Sequence, residues 1–227
     1  MFVPSHYVIQ DETWHRRIID GYPLATFTTN GATAPLASRL PALIAAGEPV
    51  TGPLVGTDLV GHLNRANPHW KSLTDGVYAR LMFDGPGGFV TPAVYPEDPS
   101  APTWNFAAVH VCGRVQLIDG LAETLEVVRW TAARLEERFG AGWDQTASVD
   151  YFRQIVPGVG AFRLSIESVE ALFKLSQEKP ADVQESLIQR YEADASGAGW
   201  PIARLMRATG MGRSTGSPDG AVSSCPF

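Results

Sequence analysis

The residues best suited to chemistry are concentrated in three short segments of the sequence. The first is GHLNRANPHW at residues 61–70, which contains His62, Asn64 and Arg65. A junction between a strand end and a helix start holds side chains on rigid supports and leaves backbone N–H groups free for an anion. A neutral His62 could bind a metal, and Asn64 and Arg65 could hold a carboxylate or a phosphate. The alternative is a turn in which these side chains satisfy nearby backbone groups.

The second segment is PTWNFAAVHVC at residues 102–112, and the third is FKLSQ at residues 173–177. Alternate residues of a strand share one face, so Trp104 and His110 would lie on the same side of a strand over residues 104–118. That face could line a pocket for an aromatic cofactor, and the alternative is ordinary barrel core with a satisfied histidine. Lys174 offers a cation at a strand end, although such an end is often simply solvated.

The sequence lacks the motifs of several common enzyme classes. It contains no G-x-G-x-x-G, no Walker loop, no G-x-S-x-G and no H-E-x-x-H. The glycine-rich stretch at residues 84–88 contains a proline, which removes an N–H group, and no lysine follows it. We therefore predict a hairpin turn there, and the sequence disfavours Rossmann-type dinucleotide binding and hydrolysis by a nucleophile elbow.

The elements that must position these residues are mainly strands. Alternation and turn residues predict strands near residues 22–29, 35–45, 54–62, 77–83, 89–95, 104–118 and 160–174. A short helix should begin at Asn67-Pro68, because asparagine caps a helix well and proline suits the first helical position. The clearest helix follows the longest strand, with one apolar stripe at spacings of four and three: Leu121, Leu125, Val128, Ala132, Leu135 and Phe139. Further helices are expected near residues 11–20, 151–155, 183–191 and 201–206.

Length and composition indicate one globular domain. A chain of 227 residues with 44% hydrophobic and 19% charged residues can bury a large core. We expect a mostly β, α+β protein with a closed or partly closed barrel over residues 1–209 and a flexible Gly/Ser-rich tail over residues 210–227. A net charge of −6 disfavours nonspecific binding to nucleic acid or membranes. Two cysteines and no apolar run long enough to span a bilayer make a cytoplasmic protein the expectation.

Several blocks of the sequence resemble the PaiB-like family of FMN-binding split-barrel proteins. They are MFVP at residues 1–4, GHLNRANPHW at 61–70, PTWNFAAVHVCGRV at 102–115, GVGAFRLSI at 158–166 and FKLSQ at 173–177. Within that family, the segments GPGGFVTPAVY at 85–95 and RFGAGWDQTASVDYFRQIVPGVGAFRL at 138–164 are similar to the piperazate synthases. Those enzymes use haem b to cyclise N5-hydroxy-L-ornithine to L-piperazic acid in secondary metabolism.

The resemblance implies roles for individual residues. His62 matches the expected axial haem ligand, and a second-shell acceptor should hold its other ring N–H. Arg39 or Arg65 would hold a haem propionate or the substrate carboxylate, and Asn64, Trp104, Asn105 and Lys174 join them around the cofactor. His110 and Tyr95 are candidate proton donors. The family likeness also implies a homodimer in which both chains line one pocket.

Two other functions remain open from the sequence. The first is an FMN-binding reductase or oxidase, in which Arg39, Asn64, Arg65 and Lys174 would hold the flavin phosphate. The second is a PaiB-like transcriptional regulator. The acidic charge and the lack of a helix-turn-helix with a basic recognition helix count against contact with DNA.

Overall fold

The computed structural model describes residues 1–49, 51–96 and 99–212. These residues contain six strands, β1 (Leu24–Thr29), β2 (Leu36–Ile44), β3 (Asp58–Asn64), β4 (Tyr78–Val90), β5 (Thr103–Ile118) and β6 (Val159–Lys174). The strands close into a barrel in the order β1–β2–β3–β6–β5–β4. β1 pairs antiparallel with β2 and β4, and β3 with β2 and β6. The predicted α+β barrel is confirmed.

Six α-helices accompany the strands in the described residues. They are α1 (Thr13–Gly21), α2 (Pro68–Lys71), α3 (Leu121–Phe139), α4 (Val149–Ile155), α5 (Ala181–Glu192) and α6 (Trp200–Ala208). The predicted start of α2 is confirmed, because the Asn67 side chain accepts a hydrogen bond from the N–H of His69 and Pro68 takes the first position. Within the described ranges, none of the helices has the length and apolar character that crossing a membrane requires.

The chain divides into two compact units. Unit 1 comprises Met1–Gly21, Asp84–Val109 and the chain from Glu170 on, and unit 2 comprises Tyr22–Phe83 and His110–Val169. Three strands, β4, β5 and β6, continue from one unit into the other.

The core of unit 2 follows from alternation along β3. A Cβ at Gly61 would lie 2.8 Å from Cζ of Phe162 and 3.0 Å from Cδ1 of Leu40, and both of these side chains are buried. Gly61 therefore points into the barrel, and Val60 and His62 point outward. On that outer face Val60 packs with Ala161 and with Val127 of α3 in an apolar cluster.

Unit 1 is held together by α5 and α6. The buried side chains of Leu187 and Ile188 from α5 and of Ile202 and Met206 from α6 supply much of its core. Its surface carries a small ion-pair network, in which the Arg207 guanidinium contacts the carboxylates of Glu185 and Glu192.

The predicted hairpin turn at residues 84–88 is wrong, because this stretch lies inside the single long strand β4. Its glycines permit close packing with neighbours in unit 1. A Cβ at Gly87 would lie 2.7 Å from Nε1 of Trp104, and one at Gly88 would lie 2.7 Å from Cε1 of Tyr191. The strand predicted over residues 89–95 is also wrong in part, since β4 ends at Val90 and a 3₁₀ turn follows over Pro92–Val94.

Helix α3 is present as predicted, but its apolar stripe is not its most buried face. The buried residues of α3 are Thr124, Val127 and Thr131. At about 100° per residue, that face lies roughly 90° around the helix from the stripe of leucines. Leu121 and Phe139, at the two ends of the stripe, are 52% and 57% exposed.

The predicted tail lies mostly outside the described residues, since only residues 210–212 of it are described. The N–H of Gly212 donates a hydrogen bond of 3.0 Å to Oε1 of Gln184 in α5.

The close approach of β5 to β6 in unit 2 gives a prediction for stability. A Cβ at Gly113 would lie 1.9 Å from the backbone oxygen of Ser165, which cannot move without disturbing β6. We expect Gly113→Ala to lower the free energy of unfolding by about 1–3 kcal/mol, measured by urea denaturation. Gly158→Ala is the control, since nothing lies within 4 Å of its added Cβ. Equal stability of the two variants would contradict the packing described for β5.

Candidate functional site

The junction between β3 and α2 in unit 2 is a tightly bonded turn. The Asn64 side chain accepts a hydrogen bond of 2.7 Å from the N–H of Ala66, and the amide of Asn67 donates to Oγ of Ser38 at 3.2 Å. Nε of Arg65 donates to the backbone oxygen of Val159 at 2.8 Å, and its guanidinium lies 5.3 Å from the Trp70 ring centroid. These contacts match the turn alternative for Asn64 and Arg65, because both side chains bind the protein itself.

The two histidines of this segment have different surroundings. His69 is buried, with Nδ1 3.0 Å from Oγ of Ser38 and Nε2 3.0 Å from Oγ1 of Thr29. Its ring stacks on Phe27 with 4.8 Å between centroids. Both ring nitrogens of His69 therefore have hydroxyl partners, which assigns this residue a structural role.

His62 is half-buried on the outer face of β3, opposite Ala161 of β6. Its Nδ1 is buried, and no hydrogen-bond partner for it occurs among the described residues. Burial lowers the pKa of the His62 imidazole, because the apolar surroundings disfavour the charged form. At neutral pH His62 is thus a neutral imidazole, the form that binds a metal. The expected second-shell acceptor does not appear in the described part of the chain.

A second buried polar atom without a partner lies on α3. Oγ1 of Thr131 has no hydrogen-bond partner within the described ranges, and the residue is 2% exposed. Thr131 lies one turn beyond Val127, which packs against Val60 on the same face of β3 that carries His62. Buried polar atoms without a partner are uncommon in folded proteins.

The other predicted residues of unit 2, Arg39 and His110, lie on different strands. Arg39 is exposed on β2, and its Nη2 donates to the backbone oxygen of Leu24 at 3.1 Å. His110 is half-buried in β5. In the part of the chain that the structure describes, no group of three or more His, Cys, Asp or Glu side chains gathers where it could hold a metal ion.

Unit 1 contains a pocket of about 680 Å³ that includes two of the predicted residues, Tyr95 and Lys174. Nζ of Lys174 donates to Oγ1 of Thr103. The other polar residues lining the pocket are Tyr7, Ser100, Glu178 and Lys179. Burial and, secondarily, the charge of Glu178 raise the pKa of the Tyr95 and Tyr7 phenols, so both keep their protons at neutral pH. We call this the lysine pocket.

The turn that follows β6 shapes one wall of the lysine pocket. Ser176 has a φ of 63°, the left-handed region that residues other than glycine seldom adopt. Its Oγ donates to Oδ1 of the buried Asn105 at 3.0 Å. Gln177 closes the turn, accepting from the N–H of Leu175 at 2.7 Å and donating to the oxygen of Phe173 at 2.6 Å. Such a strained conformation persists only where several contacts enforce it.

Trp104 and Asn105 have separate positions in unit 1. Trp104 is 53% exposed and lies 6.1 Å from the ring of Phe89, and the two line a groove of about 820 Å³ with residues of α5. Asn105 is fully buried and binds Ser176, so it supports the turn and does not line a pocket.

Three residues of the lysine pocket, Tyr7, Glu178 and Lys179, were not predicted from the sequence. Glu178 and Lys179 directly follow the FKLSQ segment, and that position is the local signal for them. No local pattern marks Tyr7, because the fold brings it to residues about 170 positions later in the chain.

Comparison with known protein families assigns this chain to a family. The model of the family described as "Putative FMN-binding domain" matches residues 1–168. The chain belongs to this family. The predicted resemblance to PaiB-like FMN-binding proteins is thereby confirmed at the level of the family.

Relatives of this putative FMN-binding family match nearly the whole chain. It is 24% identical over 213 residues to protease synthase and sporulation protein PAI 2 of Bacillus subtilis, covering 91% of this chain and 96% of that protein. It is 26% identical over 233 residues to the uncharacterized protein AN0679 of Emericella nidulans, covering 86% and 92%. The solved FAD and haem binding protein from Mycobacterium smegmatis has a TM-score of 0.56 at 15% identity, covering 78% of this chain and 77% of that one, which shows a shared fold.

The lowered pKa of His62 gives a prediction for pH dependence. Because its pKa is lower in the folded than in the unfolded chain, the unfolded chain binds more protons below about pH 6.5. The contribution of His62 to the free energy of unfolding should therefore fall as the pH drops from about 7.5 to about 5.5. We expect the free energy of unfolding of His62→Gln, measured by urea denaturation, to decline less steeply than that of the wild type over this range. The exposed His6→Gln serves as the control and should follow the wild type, whereas an unchanged slope in His62→Gln would contradict the burial of that ring.

Proposed function

We propose that this chain is a haem-dependent piperazate synthase, with His62 as the axial ligand of the iron. The observation that carries the proposal is the place of His62, a half-buried neutral imidazole in the GHLNRANPHW block of the family likeness. Nδ1 of His15 is also buried without a described partner, so the block and not the unpartnered nitrogen selects His62. A haem takes four iron ligands from its own macrocycle and needs only one or two from the protein, so a single histidine suffices. The likeness of residues 85–95 and 138–164 to piperazate synthases names the reaction.

The reaction joins the α-nitrogen of N5-hydroxy-L-ornithine to its N5 atom. The N–O bond breaks, the hydroxyl leaves as water with the proton lost from the α-amine, and no oxidant or reductant is consumed. Haem iron supplies a Lewis acid that assists the loss of the hydroxyl group.

The residues of the chain bind, orient and shield the reactants. His62 would hold the iron, and the apolar cluster of Val60, Val127 and Ala161 lies on the same outer face of the sheet. Tyr95, a predicted proton donor, retains its phenolic proton at neutral pH and lines the lysine pocket of unit 1. The predicted clamp by Arg65 finds little support, since Arg65 is bonded to Val159 and packed on Trp70. We also propose a homodimer, as the family likeness implies.

The second candidate is an FMN-binding flavoprotein, which the family match over residues 1–168 favours. A flavin needs cations and N–H donors for its phosphate. In the β3–α2 junction, Asn64 and Arg65 already serve the turn, so this segment fits a phosphate less well than it fits an axial ligand. The name PAI 2 on a relative does not by itself indicate what this chain does.

Titration of the purified chain with haemin, followed by absorption spectroscopy, tests the proposal. We expect a sharp Soret band with a stoichiometric endpoint, because a neutral His62 can bind iron without first losing a proton. His62→Ala should lose this endpoint, since the protein ligand is removed. His6→Ala, at an exposed histidine, is the matched control and should bind haemin as the wild type does.

Two results would decide against this assignment. Full haemin binding by His62→Ala would remove His62 from the ligand role. A two-band flavin spectrum after reconstitution with FMN, with no uptake of haemin, would favour the flavoprotein instead.

A further inference from the structure

We propose that the lysine pocket of unit 1 recognises the zwitterionic end of a free α-amino acid. Lys179 would bind the carboxylate, and Glu178 would bind the α-ammonium group. The choice of ornithine as the probe rests on the proposed function, whereas the proposed recognition depends only on the groups in the pocket.

The pocket has two cationic side chains in its lining. The whole chain has three lysines, Lys71, Lys174 and Lys179, and two of them line it. Nζ of Lys179 lies 4.9 Å from the centroid of the Tyr95 ring, and Nζ of Lys174 lies 6.0 Å from that of Tyr7. Nζ of Lys174 also donates to Oγ1 of Thr103, whereas Lys179 lies over an aromatic face that leaves its N–H groups available to an anion.

Glu178 supplies the opposite charge. Its side chain lines the same pocket as the phenols of Tyr7 and Tyr95. Neither Glu178 nor Lys179 forms an ion pair with another described residue. The pocket therefore presents separate cationic and anionic groups beside two neutral hydroxyl donors, a set that complements a carboxylate and an ammonium on one ligand.

The turn after β6 holds these groups in place. The left-handed Ser176 is fixed by its hydrogen bond to the buried Asn105, and the N–H of Lys179 donates to the oxygen of Ser176 at 3.0 Å. Lys174 and Lys179 leave the two ends of this turn and line the same pocket. Fixing the binding groups before the ligand arrives lowers the entropy lost on binding.

The acidic group also argues against a simple anion site. A phosphate or a haem propionate would gain from the two lysines, but it would be repelled by Glu178 and would leave that carboxylate without a partner. An α-amino acid satisfies both signs of charge. The pocket thus favours a zwitterion over the acidic edge of a cofactor.

Isothermal titration calorimetry of the full-length protein with three probes tests this recognition. Two of the probes each lack one charged group of L-ornithine. L-ornithine carries both the carboxylate and the α-amine, 1,4-diaminobutane lacks the carboxylate, and 5-aminopentanoate lacks the α-amine. We expect L-ornithine to bind about tenfold or more tightly than either of the other two, because each lost charge removes a charge-assisted hydrogen bond.

Two pocket variants and one control locate the binding groups. Lys179→Gln should weaken binding of L-ornithine about tenfold and leave that of 1,4-diaminobutane unchanged, since only the carboxylate contact is lost. Glu178→Gln should weaken L-ornithine similarly and leave 5-aminopentanoate unchanged. Lys71→Gln, at an exposed lysine of α2 in unit 2, should bind all three probes as the wild type does.

The proposal is overturned if L-ornithine binds no better than 1,4-diaminobutane, or if Lys179→Gln leaves its affinity unchanged. It is also overturned if inorganic phosphate binds the pocket in a Lys179-dependent manner while L-ornithine does not, which would assign the pocket to a cofactor. The synthase proposal can fail on its own, without this one. In that case L-ornithine still binds the lysine pocket, in the wild type and in His62→Ala, with or without haemin.

Discussion

The pairing of β3 with β6 is the constraint on which the candidate haem site depends. Seven consecutive residues of β3 pair with seven of β6, and His62 lies directly opposite Ala161. The strands come this close to their neighbours because glycine occupies two key positions. A Cβ at Gly61 would reach Phe162 in the barrel, and one at Gly160 would lie 2.3 Å from the Trp70 indole of α2. The same pairing therefore holds α2 against the barrel and turns His62 outward, beside the small side chain of Ala161. A slip of one residue would turn the imidazole into the barrel interior.

In the candidate haem site, the polar side chains that stabilise the fold are different from the one proposed to bind a ligand. The Asn64 and Arg65 side chains bond within the turn, the Asn67 side chain caps α2, and the His69 ring bonds hydroxyl groups of β1 and β2. On the preceding strand, Nδ1 of His62 is buried and has no hydrogen-bond partner among the described residues. Unit 1 has a parallel arrangement, in which Asn105, Ser176 and Gln177 fix a turn so that the neighbouring lysines and Glu178 can face a pocket. In each unit, rigid hydrogen bonds among some residues leave others available to a ligand.

Much of this fold could be predicted from local patterns, and the exceptions have physical causes. The strands and α3 follow from alternation and helical spacing, and the start of α2 follows from its cap. The stretch from Gly85 to Gly88 has the composition of a turn, but its glycines fit strand β4 against Trp104 and Tyr191, which no local pattern reveals. His62 and His69 cannot be told apart by spacing, because their roles differ through hydroxyl partners on distant strands. The lysine pocket joins residues from the beginning, middle and end of the chain. Sequence reasoning identified Tyr95 and Lys174, and Glu178 and Lys179 directly follow a segment that it singled out, but no local pattern marks Tyr7.

The most direct test of the central claim is to incubate the haem-loaded protein with N5-hydroxy-L-ornithine under anaerobic conditions and to identify the product by mass spectrometry. The proposed dehydration predicts a single product that has lost one water molecule, co-elutes with piperazic acid, and forms without oxygen or any added reductant. The product should disappear in His62→Ala and in protein without haem. Recovery of unchanged substrate from fully haem-loaded wild-type protein, or product formation only with reduced flavin, would contradict the account.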